Sequence, residues 1–131
     1  MTATASKLGL AKIRQIAVNV HDLDRATAFY QDVLGMSLLF RVPGMSFFDC
    51  DGIRLMLGIP EKDEFDHPAS VIYYSTDDIH AMHQQLVDRG VAFMGNPHVV
   101  ARMGDIEISM AFFRDSEDNI LALTSEVRAR G

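Results

Sequence analysis

Five histidines, one cysteine and eighteen acidic side chains are the groups in this 131-residue sequence that can ligate a metal, move a proton or attack an electrophile. His80 and His83 stand three apart, which on a helix brings both imidazoles to one face, a spacing found in metal sites. They fall on the side away from Ile79, Met82 and Leu86, near Asp77 and Gln84, and that is the pattern of a solvated polar face. His67 and His98 sit beside Pro68 and Pro97 in apparent loops. Either can serve as a general base near neutral pH at a cavity mouth, and with Asp63, Glu64 or Asp66 they offer an unconventional metal site. Cys50 lies between Asp49 and Asp51, whose charge disfavours a thiolate, so a structural hairpin cysteine is expected rather than a nucleophile. The sequence has no nucleophile-elbow motif and no phosphate-cradling glycine loop.

Composition removes other classes. Twelve Lys and Arg against eighteen Asp and Glu give a formal charge of −6, and the basic residues form no patch, which argues against nucleic acid. A lone cysteine allows no internal disulfide and fits a reducing, cytoplasmic setting. No apolar run approaches the roughly 20 residues of a spanning helix, so no membrane role is expected. The length suits one domain, with a loose tail over 1–11 and another over 127–131.

The elements that must position any site follow from periodicity. In IRQIAVNV, Ile16, Val18 and Val20 alternate with Gln15, Ala17 and Asn19, the period of a strand. DLDRATAFYQDVLG then changes to helical spacing, with Asp22 or Asp24 as the cap and Gly35 as the stop. Strands are expected over 45–50 and 53–57, joined by Asp51-Gly52, a pair that tolerates the positive φ of a tight hairpin. Residues 59–69 are a proline-containing acidic linker, and 95–105 reads as loop. From Val71 the pattern begins again, with Asp77 or Asp78 as cap and Gly90 as stop. Ile16 aligns with Ile72, Asp22 with Asp78, Gly35 with Gly90, and FFDCDGIRLML with AFFRDSEDNILAL.

Two tandem βαβββ modules, 12–58 and 70–126, are therefore expected in an α+β fold. Neither copy can bury its own sheet alone, and if the curved mixed sheets turn toward each other they enclose a shared cavity. Its lining includes Gln15, Asn19, Arg54, Met56, Val71, Tyr73 and Ala122. Met45, Met103, Met110, Phe47 and Phe112 offer soft, polarisable wall for a planar ligand.

The segments IAVNVHDLDRATAFYQDVLG and AFFRDSEDNILAL, in this order and separation, resemble the vicinal-oxygen-chelate superfamily of glyoxalases, extradiol dioxygenases and bleomycin resistance proteins. The resemblance covers about residues 12–126 and implies a fold that hosts several chemistries. Metal-dependent members place His and Glu on the first and last strands of each module. Those positions here hold Gln15, Met56, Val71 and Ala122, which supply one amide oxygen, a thioether and hydrocarbon. The resemblance thus points to a metal-free protein without a cofactor, similar to the bleomycin resistance type, that binds a small organic ligand through Gln15, Asn19, Arg54, Met56, Val71, Tyr73, Ala122 and His98. Homodimerisation is implied as well. The alternative is a cofactor-free or substrate-assisted lyase or isomerase using Arg54, Tyr73 and a loop histidine; a metal-dependent glyoxalase or dioxygenase is disfavoured. Arg54 itself has two readings, a cation for an anionic ligand or an ordinary ion-pair partner.

Overall fold

A computed structural model describes residues 9–129. Two four-stranded sheets and two helices form an α+β fold. The first module runs β1 (Gln15–Asn19), α1 (Leu23–Ala28), β2 (Ser37–Val42), β3 (Met45–Cys50) and β4 (Ile53–Gly58). The second runs β5 (Ile72–Ser75), α2 (Ile79–Asp88), β6 (His98–Met103), β7 (Ile106–Arg114) and β8 (Ile120–Arg128). Strand orders are β1-β4-β3-β2 and β5-β8-β7-β6, and the first strand of each module pairs in parallel with the last.

The duplication seen in the sequence is carried into the register. Ala17 pairs with Met56, which pairs with Phe47; in the second sheet Tyr73 pairs with Ala122, which pairs with Phe112. Each module's outer hairpin also has an irregularity at the same place, between Leu38 and Phe40 and between Val99 and Ala101. Asp22 and Asp78 are the caps, their carboxylates accepting from the Arg25 and Ala81 backbone N–H groups. Asp51 and Gly52 adopt φ of 52° and 95°, the left-handed pair expected of this hairpin. After Ala28 the first helix widens into a π-helical turn, Phe29–Val33, which helical spacing alone does not foretell.

Three expectations are corrected. The 95–105 stretch is not all loop: β6 occupies most of it, and His98 opens that strand. All six of its residues are exposed and its pairing is bulged, so it carries no alternating apolar signal to read. β8 runs through Arg128, past the expected boundary at 126, because β7 pairs with it as far as Ile106. His83 is half-buried with its ring 4.3 Å from that of Phe93, so it belongs to the packed side of α2 rather than to a solvated face; His80 is exposed. The expected N-terminal tail lies mostly outside the described residues.

One continuous core joins the modules. Val18, Leu55 and Leu57 from the first sheet, Phe113, Leu121 and Leu123 from the second, and Ala26, Tyr30, Ile79 and Leu86 from the helical segments form a single buried cluster. Both helices and the helix-facing sides of both sheets are used up here, and within one chain the sheets do not close around a cavity. The opposite faces stay open.

The modules are also clasped by polar contacts. The buried Tyr30 hydroxyl donates to Asp115 Oδ2 at 2.7 Å, while Asp115 Oδ1 accepts the backbone N–H groups of Glu117 and Asn119, each at 2.8 Å. Burial, reinforced by the Asp115 charge, holds the Tyr30 phenol protonated far above its ordinary range. Arg25 on α1 donates to Glu117 at 2.7 Å, and that hydrogen bond holds the Glu117 carboxyl below its usual range. Tyr74, by contrast, buries a hydroxyl that has no partner among the described residues.

Two predictions follow from this clasp and the unpartnered phenol. Tyr30→Phe removes a bond to a buried carboxylate and should cost about 1–3 kcal/mol in urea denaturation, whereas Tyr74→Phe should be neutral or stabilising by up to about 1 kcal/mol. Equal losses would refute the distinction. Because Glu117 is depressed in the folded state, its contribution is complete above the unfolded carboxyl range, about pH 4.3, and vanishes as pH falls through the folded value. Glu117→Gln should therefore flatten the acid-side decline of the denaturation midpoint, and an unchanged slope would count against the pairing.

Candidate functional site

The open face of the first sheet is built by alternation: with Ile16, Val18, Leu55 and Leu57 facing the core, Gln15, Ala17, Asn19, Arg54 and Met56 must face outward. Gln15 sits opposite Arg54 in the register and links two strands. Its Oε1 accepts from Arg54 Nε at 3.1 Å, and its Nε2 lies 3.8 Å from the Met56 sulfur. The Arg54 guanidinium lies 6.0 Å from the centroid of Phe47, whose ring stacks on Phe40 at 4.4 Å. The ion-pair reading of Arg54 does not hold among the described residues: Arg25, Arg41, Arg102, Arg114 and Arg128 each pair with a carboxylate, and Arg54 does not.

Two clefts adjoin this array. One of about 380 Å³ brings Asn19 and Met56 together with Ala17, Met45 and, from the linker, Ile59 and Phe65. The other, about 410 Å³, opens between the modules and brings Arg54 together with Tyr73, beside Ile16, Ile72, Cys50 and Tyr74. Asn19 spends its amide donors on the Phe65 and His67 carbonyls, which holds the linker over the edge of β1. His67 itself points its Nδ1 at the Pro68 carbonyl, 3.1 Å away.

The second sheet contributes differently. Val71 precedes β5 and is exposed, while Ala122 is fully buried between the rings of Tyr73 and Phe112, which meet edge to face at 5.9 Å. His98 lies at the start of β6 opposite Met110, with Nδ1 3.1 Å from the Asn96 carbonyl, and lines neither cleft. The Cys50 thiol is pushed up by burial first and by Asp49 and Asp51 next, so it is a poor nucleophile here. Sequence reasoning missed Ile59 and Phe65 as cleft walls. The only signal was a lone aromatic inside an acidic linker.

The residues at the four positions that the resemblance marks for metal ligands do not fit a divalent cation. Gln15 already gives its amide oxygen to a cationic guanidinium, Met56 offers a thioether, and Val71 and Ala122 offer no donor at all. Among the described residues no cluster of three or more His, Cys, Asp or Glu side chains could hold a metal ion.

This architecture and face define a known class. The model of the Glyoxalase/Bleomycin resistance protein/Dioxygenase superfamily matches residues 12–101, and the chain belongs to that superfamily. It is similar to metallothiol transferase FosB of Lysinibacillus sphaericus, with 29% identity over 87 residues, 63% of this chain and 62% of that protein, so it spans less than two thirds of that relative's length. Among solved structures it resembles a virulence protein from Salmonella typhimurium (TM-score 0.76, 16% identity, 92% of this chain and 100% of that one). It also resembles lactoylglutathione lyase from Agrobacterium tumefaciens (TM-score 0.70, 21% identity, 89% and 95%). These two likenesses concern the fold alone. No helix among the described residues is long and apolar enough to cross a membrane.

The role of Asn19 yields a test. Asn19→Ala should release the linker, seen as faster hydrogen exchange and proteolysis across 59–69 with little change in global stability; unchanged protection there would show that the linker is held by other contacts.

Proposed function

We propose that this protein binds a small organic ligand on its open sheet faces, without a resident metal at Gln15, Met56, Val71 and Ala122, and that a second copy of the chain completes the enclosure. The observation that carries the reading is the Gln15, Arg54 and Met56 array. Where a catalytic metal would need anionic or imidazole donors, the sheet presents a positive charge tied to a neutral amide. The clefts beside it, at about 380 and 410 Å³, are of the size that takes drug-like molecules, about 300–1,000 Å³. Gln15, Asn19, Arg54, Met56 and Tyr73 are the residues placed to shape them, Val71 and His98 would reach a ligand only if it extended across the second sheet, and Ala122 is covered by Tyr73 and Phe112.

Dimerisation is supported by apolar side chains that a monomer leaves in water. Leu39, Phe40 and Val42 on β2 and Val99, Val100 and Met103 on β6 are all exposed, and both strands are sheet edges. A second reading, favoured by the likeness to FosB, is a metal-dependent transferase of the kind that relative's name describes. Native mass spectrometry of protein purified without added metal distinguishes the two. A species at twice 14.6 kDa, free of bound cation and able to retain organic adducts, is expected. One tightly held divalent ion per chain would overturn the metal-free reading, and a monomer that retains no adduct would overturn the enclosed-receptor reading.

A further inference from the structure

We propose that the ligand is recognised through a single carboxylate, gripped by Arg54, with a flat apolar body lying along the open face of the first sheet toward Tyr73. This rests on the reading above and names the ligand's chemistry. Arg54 combines features that an ordinary surface arginine lacks. Its Nε is held by Gln15, a side chain that fixes the guanidinium without neutralising it. Its guanidinium carbon lies 6.0 Å from the ring centroid of Phe47, which is in turn stacked on Phe40. Its two Nη atoms make no hydrogen bond among the described residues, even though Asp49 is its partner in the β3 register and instead accepts from the Gly52 N–H at 3.4 Å. A fixed guanidinium with both Nη groups free is the fork that a carboxylate fits with two parallel bonds.

The surroundings select further. Beside Arg54 on the open face, Met56 and the stacked Phe47 and Phe40 give an apolar surface, and Tyr73 lines the cleft between the modules together with Arg54, so the remainder of the ligand should be flat and hydrophobic. Asp51 lines the same cleft and the whole chain carries −6, which repels anions. That repulsion acts through solvent and is screened, whereas the fork binds at contact, so one negative charge is accepted. A dianion meets the repulsion twice while still having only one fork to bind. The geometry therefore favours an aromatic monocarboxylate over a phosphate monoester.

Titration of the full-length protein with benzoate, benzamide and phenyl phosphate, followed by two-dimensional NMR, tests this. Benzoate should shift the Arg54 side-chain Nε–H and the amides of Gln15, Phe47 and Tyr73, and should bind at least about 10-fold more tightly than benzamide or phenyl phosphate. Arg54→Gln should weaken benzoate by at least about 10-fold, and Arg54→Lys, which keeps the charge but loses the fork, by less. Gln15→Glu, which supplies an internal carboxylate partner, should abolish benzoate binding while leaving the spectrum of a folded protein. Equal binding of benzoate and benzamide at those same amides would overturn the carboxylate assignment and leave the receptor reading intact. Undiminished benzoate binding by Arg54→Gln or Gln15→Glu would overturn it too. No shift of any open-face amide with any probe would defeat both.

Discussion

Asp115, in the turn between β7 and β8, is buried while accepting the Tyr30 hydroxyl, two backbone N–H groups and the Asn119 side chain. A carboxylate removed from water survives only when its oxygens are satisfied in this way. Because one donor comes from the helical segment of the other module, the arrangement is satisfied in only one relative placement of the two halves. Asn119 extends the clasp to the Asn19 carbonyl at the end of β1, and Arg25 adds a charged pair to Glu117. Placement of the modules then determines which faces meet in the core and which are left over.

What is left over is an open surface with a distinct character in each half. The register is duplicated, yet the side chains on it have diverged. The first sheet carries amide, guanidinium and thioether along Gln15, Arg54 and Met56; the second carries Tyr73, Ala122 and Phe112, closed into a small aromatic corner over a methyl group. The polar and charged side chains of the open faces named here are therefore concentrated in the first module. The edge strands of both modules, β2 and β6, expose apolar side chains.

Much of this was legible in the chain itself. Alternation placed Ile16, Val18, Leu55, Leu57, Leu121 and Leu123 inward and Gln15, Asn19, Arg54 and Met56 outward, because a strand's side chains can go nowhere else once one face is buried. Capping by Asp22 and Asp78 and the Asp51-Gly52 hairpin are equally local, being decided by hydrogen bonds and φ values within a few residues. The duplicated order of elements follows from the internal repeat. Edge strand β6 was not legible, since a bulged strand exposed on both faces leaves no period to detect, and the packing of His83 on Phe93 depends on a contact across ten residues of turn and helix.

The sequence by itself determined the two βαβββ modules, the face each strand turns to solvent and the absence of ordinary metal ligands at four positions. The modules and faces follow from residue type, spacing and the internal repeat, and the four positions are those that the family resemblance implies. Only the tertiary structure decided that the sheets stay open within one chain, that Asn19 is committed to holding the linker, and that Arg54 is braced by Gln15 without a salt bridge among the described residues. Those outcomes depend on which distant groups come within hydrogen-bonding reach, a property of the assembled core that no local pattern encodes.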